Sequence, residues 1–382
     1  MKAKIFQGGI LVAAIVLGVS CSTPVVQEEG LMEALEGKFL MGAALNPSIF
    51  TGSDTASLRI IHKHFNSVVA ENCMKSERIH PEEAVFNFDL ADKFIDFATQ
   101  NELHTVGHCL IWHSQVPDWL FVDEEGNEVS REILIERIST HITTIVERYK
   151  GKVDLWDVVN EAFEDDGSWR NTKFYQIIGE DYIELAFQLA HEADPDAELI
   201  YNDYSMYHQG RREAVVKLVQ KLKGKGIRID GIGMQAHSGM DYPPLEEFEK
   251  SIIAFAECGV DVHITEMDIT AIPFPDRSVG AEIASSYEYQ ERMNPYANGL
   301  TDSARVALHD RYLDFFELFL QHQDKIKRVT MWGIADHHSW RQNWPIRGRS
   351  DFPLLFDREY QAKPIVKSII EAAKNEESQV PG

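Results

Sequence analysis

The sequence predicts an α/β fold, a (β/α)8 TIM barrel in a single domain, on three observations. Short apolar runs alternate with longer amphipathic segments at intervals of roughly 30 to 40 residues, the rhythm of repeated strand and helix units. The runs number eight, and eight parallel strands with crossover helices close into a barrel. Nearly every run ends in polar or aromatic residues, as expected where strand ends converge on one rim to build a site.

In chain order, the first strand is placed at Phe39 to Leu45, ending at Asn46, and the second at Ser67 to Ala70, leading into Glu71, Asn72 and Lys75. The third, Thr105 to Leu110, carries His108, Trp112 and His113. The fourth, Val153 to Val159, is rich in β-branched residues and stops at Asn160-Glu161, before an acidic, Gly-containing loop. Glu198 to Tyr201 runs into Asn202-Asp203-Tyr204, and Gly231 to Gln235 into His237. Val262 to Thr265 delivers Glu266 and then Asp268, and Val329 to Gly333 carries Trp332 with Asp336 beyond it. Helical periodicity fills the gaps at Asp89 to Asn101, Arg131 to Tyr149, Phe174 to Ala193, Arg211 to Gly224, Leu245 to Cys258 and Ala304 to Gln321. Asp89 and Ser130 read as N-caps, and Gly224 and Gly259 as C-terminal stops.

Two of these strands deliver a glutamate at the tip, Glu161 and Glu266. One such residue is most simply the first solvated position after a buried strand. Two make a candidate proton donor and nucleophile for a reaction that needs paired carboxyls about 5–5.5 Å apart.

The barrel is assigned to residues 31–375. Residues 1–20 read as an export signal: Lys2 and Lys4, then Ile10 to Leu17, then Gly18-Val-Ser-Cys21. The apolar run is too short to cross a bilayer. Gly18-Val19-Ser20-Cys21 resembles a bacterial lipobox, in which Cys21 is lipidated and becomes the mature N-terminus; the alternative is an ordinary secretory signal cut nearby. Residues 21–30 are then a lipidated N-terminus and tether, and residues 376–382 a C-terminal tail. The expected location is a membrane-anchored lipoprotein on the periplasmic or cell-surface face, or else a secreted protein. The net charge of −24 repels phosphate backbones and anionic lipid, so nucleic acid is excluded as a partner and membrane attachment is expected through the lipid alone. Cys73, Cys109 and Cys258 have no Cys-x-x-Cys spacing and read as buried thiols rather than disulfides or zinc ligands.

The motifs Glu71-Asn-Cys-Met-Lys75, Gly107-His-Cys-Leu-Ile-Trp-His-Ser-Gln115, Trp156-Asp-Val-Val-Asn-Glu-Ala162, Tyr201-Asn-Asp-Tyr204, Gly233-Met-Gln-Ala-His237, Ile264-Thr-Glu-Met-Asp-Ile269 and Met331-Trp-Gly-Ile-Ala-Asp336 occur in register across residues 31 to 372. Together they resemble the retaining endo-β-1,4-xylanases of glycoside hydrolase family 10. The resemblance implies that Glu161 is the general acid/base and Glu266 the nucleophile, with His237 and Asp268 hydrogen-bonded around the nucleophile and Asn160 bonding the sugar 2-hydroxyl. It also implies that Glu71, Asn72, Lys75, His108, Trp112 and Gln235 line the non-reducing side, that Trp332 and Trp340 form aromatic walls on that same side, and that Tyr204 contacts substrate. The implied partners are xylan and xylo-oligosaccharides, acted on by a monomer with no metal or organic cofactor. The vicinal pair His337-His338 has no acidic neighbour at ligand spacing in the sequence, so no metal is assigned to it either.

Three features depart from the family pattern: Cys73 and Cys109 replace small or polar residues, Ser205 replaces an Asn, and the stretch Ala271 to Ser303 is long for a strand–helix connection, either a lid extending the cleft or a surface embellishment. Two rival readings remain open: a retaining β-1,4- or mixed-linkage glucanase on the same fold, and a membrane-anchored glycan-binding protein that no longer cleaves.

Overall fold

In the computed structural model the described residues are 29–274 and 286–379; the expected export signal, Cys21, most of the expected tether and the centre of the 271–303 stretch lie outside them. Among the described residues nine strands form: β1 Leu40–Leu45, β2 Ser67–Ala70, β3 His104–Trp112, β4 Leu155–Asn160, β5 Glu198–Asp203, β6 Gly231–Met234, β7 His237–Gly239, β8 Asp261–Thr270 and β9 Ile326–Met331. Every pairing between them is parallel, and the contacts of β1 with β9 and of β6 with β8 close the ring. The eight expected strands are all present. β7 continues β6 beyond Ala236, whose φ of +62° kinks the chain, and both pair with β8, so the two count as one stave. The last strand starts earlier than its apolar run, at Ile326, because exposed Lys327 interrupts the hydrophobic pattern.

The strands are apolar on both faces, as a parallel barrel requires. One face packs against the helices; the other meets inside the ring, where Ala44, Val69, Val106, Leu155, Ile200 and Trp332 cluster. Two glycines make room in this packing. A Cβ on Gly107 of β3 would lie 2.2 Å from the ring of Trp156, its register partner on β4. A Cβ on Gly233 of β6 would lie 2.4 Å from the side-chain oxygen of Asn202, its partner on β5.

The helices need four corrections. The expected Phe174 to Ala193 helix is two, Lys173–Ile178 and Tyr182–Ala193, separated at Gly179, whose φ of +95° is left-handed. Asp89 is the first helical residue rather than the cap, and its N–H donates to Asn87 Oδ1 at 3.3 Å. Gly224 is still helical, and the left-handed exit is made by Gly226 (φ +71°). The helix Thr55–His64, capped by Asp54, was not placed from the sequence because its buried face is Ser57, Ile60, Ile61 and His64, an apolar stripe only two residues long. Ser130 does cap its helix, accepting from the Ile133 N–H at 3.4 Å, and Gly259 (φ +72°) does follow the end of Leu245–Glu257. Helix Pro364–Gln379 runs on past residue 375.

At the strand-start end of the barrel, the short helix Leu31–Ala34 packs against Thr55–His64 and Pro364–Gln379. Gly30 lies against the Lys63 backbone, the Leu31 N–H donates to His64 Nδ1 at 3.3 Å, and Glu29 pairs with Lys374.

Candidate active site

The strand ends converge on a cleft of about 490 Å³. Of the residues singled out from the sequence, Glu71, Asn72, Lys75, His108, Trp112, Asn160, Glu161, Tyr204, Gln235, His237, Glu266, Trp332 and Trp340 line it. Asp268 lies beneath the surface, fully buried.

Glu266 interrupts the pairing of β8 with β9, whose register shifts between Ile264 and Met267. Its backbone N–H donates to Gln235 O at 2.9 Å, which fixes the residue against the end of β6. One carboxylate oxygen, Oε1, accepts from Asn202 Nδ2 at 2.8 Å; the other, Oε2, lies 3.2 Å from His237 Nε2. His237 Nδ1 faces Asp268 Oδ1 at 3.1 Å, and Asp268 accepts from Arg341 Nε and Trp340 Nε1, both at 2.9 Å. The result is a buried row of alternating charge: Glu266, His237, Asp268, Arg341.

The electrostatics follow from that row. Burial alone would raise the Asp268 carboxyl, but the Arg341 and His237 charges overcome it and hold the group down at about 2. Burial alone would strip the proton from His237, yet the two carboxylates it bridges, Asp268 foremost, push it up to about 9. Glu266, equally penalised by burial, is nonetheless lowered by the His237 hydrogen bond and by the fields of His108, His237 and Lys75. It is therefore an ionised carboxylate in a dry setting.

Glu161 follows β4 with a φ of +61°, a left-handed conformation that costs a non-glycine residue about 1–2 kcal/mol. Its backbone is clamped there: the N–H donates to Asn202 O at 2.9 Å, and the carbonyl accepts from Arg170 Nε at 2.9 Å. Neutral amides hold the side chain, since Oε1 accepts from Gln235 Nε2 at 3.1 Å and from Asn160 Nδ2 at 3.4 Å. The nearest ionisable ring, His113, stands 4.0 Å from Oε2. The two glutamates thus occupy contrasting settings, Glu266 in a charge network and Glu161 among amides at the mouth.

Asn202 joins them. Its amide nitrogen lies 2.8 Å from Glu266 Oε1, 3.0 Å from Asp157 Oδ2 and 3.2 Å from Asn160 Oδ1, and its carbonyl oxygen accepts from Thr265 Oγ1 at 2.7 Å. Asp157, pushed up to about 6 by burial despite its 2.8 Å contact with His108 Nδ1, completes the floor. Across the mouth, Lys75 Nζ donates to Asn72 Oδ1 and Gln115 Oε1 at 2.9 Å each and sits 4.9 Å from the Trp112 ring centroid. Burial raises the Glu71 carboxyl, Lys75 and Asn72 opposing it. Arg170 Nη2 donates to the Tyr204 hydroxyl at 2.7 Å, and the Arg211 guanidinium lies over the Tyr204 ring.

Sequence reasoning missed Asn202, Asp157, Gln115 and Arg341 as site residues, although the first three fall inside quoted motifs and Arg341 follows Trp340. Position on a strand tip was the available signal; what they touch depends on register. His337 and His338 lie off the cleft, and a distant chain segment supplies Asp54, whose Oδ2 is 3.2 Å from His338 Nε2. Cys73 and Cys109 are buried and Cys258 half-buried, all three as free thiols. Of the 271–303 stretch, Phe274 lines the cleft, whereas Tyr289 is buried and Tyr296 packs half-buried against the core.

A family model, Glycosyl hydrolase family 10, matches residues 30–372. The endo-1,4-beta-xylanase A of Xylanibacter ruminicola is 52% identical over 347 residues, 91% of this chain and 94% of that protein. A GH10 endoxylanase structure retrieved from sugarcane soil metagenome superposes with a TM-score of 0.85 at 40% identity, covering 91% of this chain and all of its own (100%). A mutant structure in complex with xylotriose gives 0.81 at 37% identity, covering 90% and 100% of the two chains.

Proposed function

The chain belongs to glycosyl hydrolase family 10, and from that premise we propose that it is an endo-1,4-β-xylanase that cleaves internal xylosidic bonds of xylan and xylo-oligosaccharides with retention of configuration. The observation that carries the chemistry is the environment of Glu266, a buried carboxylate kept ionised by His237 and oriented by Asn202.

In the first step Glu266 attacks the anomeric carbon while Glu161 gives its proton to the departing glycosidic oxygen; the C–O bond to the leaving chain breaks as the ester bond to Glu266 forms. In the second step Glu161, now a carboxylate, takes a proton from water, and the resulting hydroxide displaces Glu266. The amides of Asn160 and Gln235 position Glu161, and Asn160 also serves the 2-hydroxyl of the sugar under attack. Glu71, Asn72 and Lys75 hold the non-reducing portion of the chain, and Trp332, Trp340, Trp112 and Tyr204 offer flat faces to the C–H surfaces of pyranose rings. A binding protein has no use for the buried charge row.

The test is Glu266→Ala. Hydrolysis should vanish with the fold intact, and azide should restore cleavage of an activated aryl xylobioside, giving the glycosyl azide of inverted configuration; wild-type-like hydrolysis would remove Glu266 from the mechanism. Glu161→Ala should slow glycosylation from poor leaving groups by roughly 10²–10⁴-fold, the usual worth of general acid catalysis, and spare aryl leaving groups. Parallel rates on xylan and a soluble cellulose separate the xylanase from a glucanase.

The same reading extends to location: a monomer exported by residues 1–20 and held at a membrane by an acyl chain on Cys21. Its support is the order of charged, apolar and small residues before Ser20-Cys21.

A further inference from the structure

One buried cation takes no part in the mechanism above. Trp332, just past the end of β9, belongs to the cluster inside the ring, and the two-residue alternation of a strand turns Thr330 and Arg328 inward beneath it. Arg328 is 2% exposed, and burial pulls its pKa down to about 10, which leaves it charged at neutral pH. A guanidinium taken out of water is costly unless its charge and its donors are met. Among the described residues, Arg328 Nε and Nη1 have no hydrogen-bond partner.

Above Arg328 lies the floor of the active site. A void of about 10 Å³ is bordered by Arg328 and by Asp157, His108, Asn202, Thr265 and Glu266. That is room for about one water. Asp157, also 2% exposed, spends Oδ2 on His108 Nδ1 at 2.8 Å and Asn202 Nδ2 at 3.0 Å, whereas its Oδ1 is buried with no partner among the described residues. Unpaired donors on a cation and an unpaired acceptor on a carboxyl thus border the same small void. The other charges nearby do not replace this pairing. Glu198, the further carboxyl whose field reaches Arg328, is half-buried at the start of β5. His104 and His263 are kept neutral by burial and by the Arg328 charge itself. On the other side of Asp157, Glu266 opposes its ionisation, and burial holds the Cys109 thiol protonated.

We propose that Arg328 is a positioning residue for the reaction: through one water in the void it holds Asp157 as a carboxylate, and Asp157 in turn fixes the His108 ring and the Asn202 amide that orients Glu266. The proposal rests on the xylanase reading, which makes Glu266 the nucleophile. An ionised Asp157 accepts from His108 and Asn202 at once. A protonated one accepts weakly, and its own proton competes for His108 Nδ1, which frees the Asn202 amide that donates to Glu266 Oε1 at 2.8 Å. A nearby cation favours the carboxylate, so removing Arg328 raises Asp157 beyond the value of about 6 to which burial already pushes it, and activity is then lost at a higher pH as acid is added.

The experiment follows kcat/KM on xylohexaose against pH in wild type, Arg328→Met, Arg328→Gln and Arg328→Lys. The two neutral side chains should move the acidic limb up by about 1 unit, the effect of losing one opposite charge at close range, and lysine should bring it back toward wild type. In an Asp157→Asn background Arg328→Met should add no further shift. Infrared difference spectra read Asp157 without activity: its protonated C=O band, assigned by its loss in Asp157→Asn, should titrate about 1 unit higher in Arg328→Met. An unshifted limb, an unshifted band, or the same limb shift in the Asp157→Asn background would each overturn the role of Arg328. Should neither neutral variant fold, the wild-type Arg328 Nε resonance, assigned by its absence in Arg328→Lys, decides: it should titrate in step with the Asp157 band, and a resonance indifferent to Asp157→Asn overturns the proposal. A wild-type enzyme inert on xylohexaose would overturn the xylanase reading, while the infrared and nitrogen titrations would still report whether Arg328 holds Asp157.

Discussion

His237 bridges two buried carboxylates, and its proton carries a signature in solution. The ring titrates near 6.5 when free and is pushed up to about 9 here, by Asp268 and Glu266 against the penalty of burial. Between those values the folded protein binds a proton that the unfolded chain does not, so this contribution to stability is fully present below pH 6.5 and is lost as pH climbs through about 9. We expect Tm to fall over that window, and to fall less steeply in His237→Asn; parallel slopes would show that the ring is not the group responsible. A second residue-scale prediction concerns Ser205, held at φ +47° beside the cleft. Asparagine enters the left-handed region more readily than serine, so Ser205→Asn should stabilise the fold by a few tenths to about 1 kcal/mol in denaturant unfolding. At this scale the sequence was informative about position and mute about partnership. Glu161, His237 and Glu266 could be chosen because each ends an apolar run, but the bond from Asn202 to Glu266 spans 64 positions and exists only because β5, β6 and β8 are in register.

Register also explains why two of the motifs contain glycine. Gly107 faces Trp156 and Gly233 faces Asn202, and in each case a methyl group would overlap the neighbour. Gly107→Ala should therefore act on stability, costing about 3 kcal/mol by overpacking, as read from Tm. Gly233→Ala should act on catalysis as well: displacing the Asn202 amide loosens Glu266, so kcat should fall by more than the stability loss accounts for, with KM little changed. An equal effect of the two substitutions on kcat would contradict this division. The strands were legible because both of their faces are apolar, which leaves eight unmistakable runs. Helix ends were less so, since a left-handed glycine inside a continuous amphipathic pattern, as at Gly179, leaves no mark in the hydrophobic rhythm.

For the whole molecule, the barrel and its rim follow from strand count and strand-end chemistry, while the outer rings of the cleft do not: Phe274 and Trp344 belong to irregular loops whose course no periodicity dictates. The proposed export signal makes a separate prediction. Wild-type protein should partition with membranes and begin at Cys21, and Cys21→Ser should be soluble; unmodified wild-type protein in the soluble fraction would contradict it. Under the proposed anchor at Cys21, the way the chain joins the barrel would bias its orientation. Glu29, Gly30 and Leu31 are fastened to Lys374, Lys63 and His64 at the strand-start pole, the pole farthest from the cleft. Seven residues lie between Cys21 and Glu29, eight Cα-to-Cα steps with a reach of at most about 28 Å when fully extended. An anchored enzyme would stand with its base toward the bilayer and its mouth facing outward, like a cup on a short stem, and a polymer too large to slip beneath it could still thread the cleft from the open side.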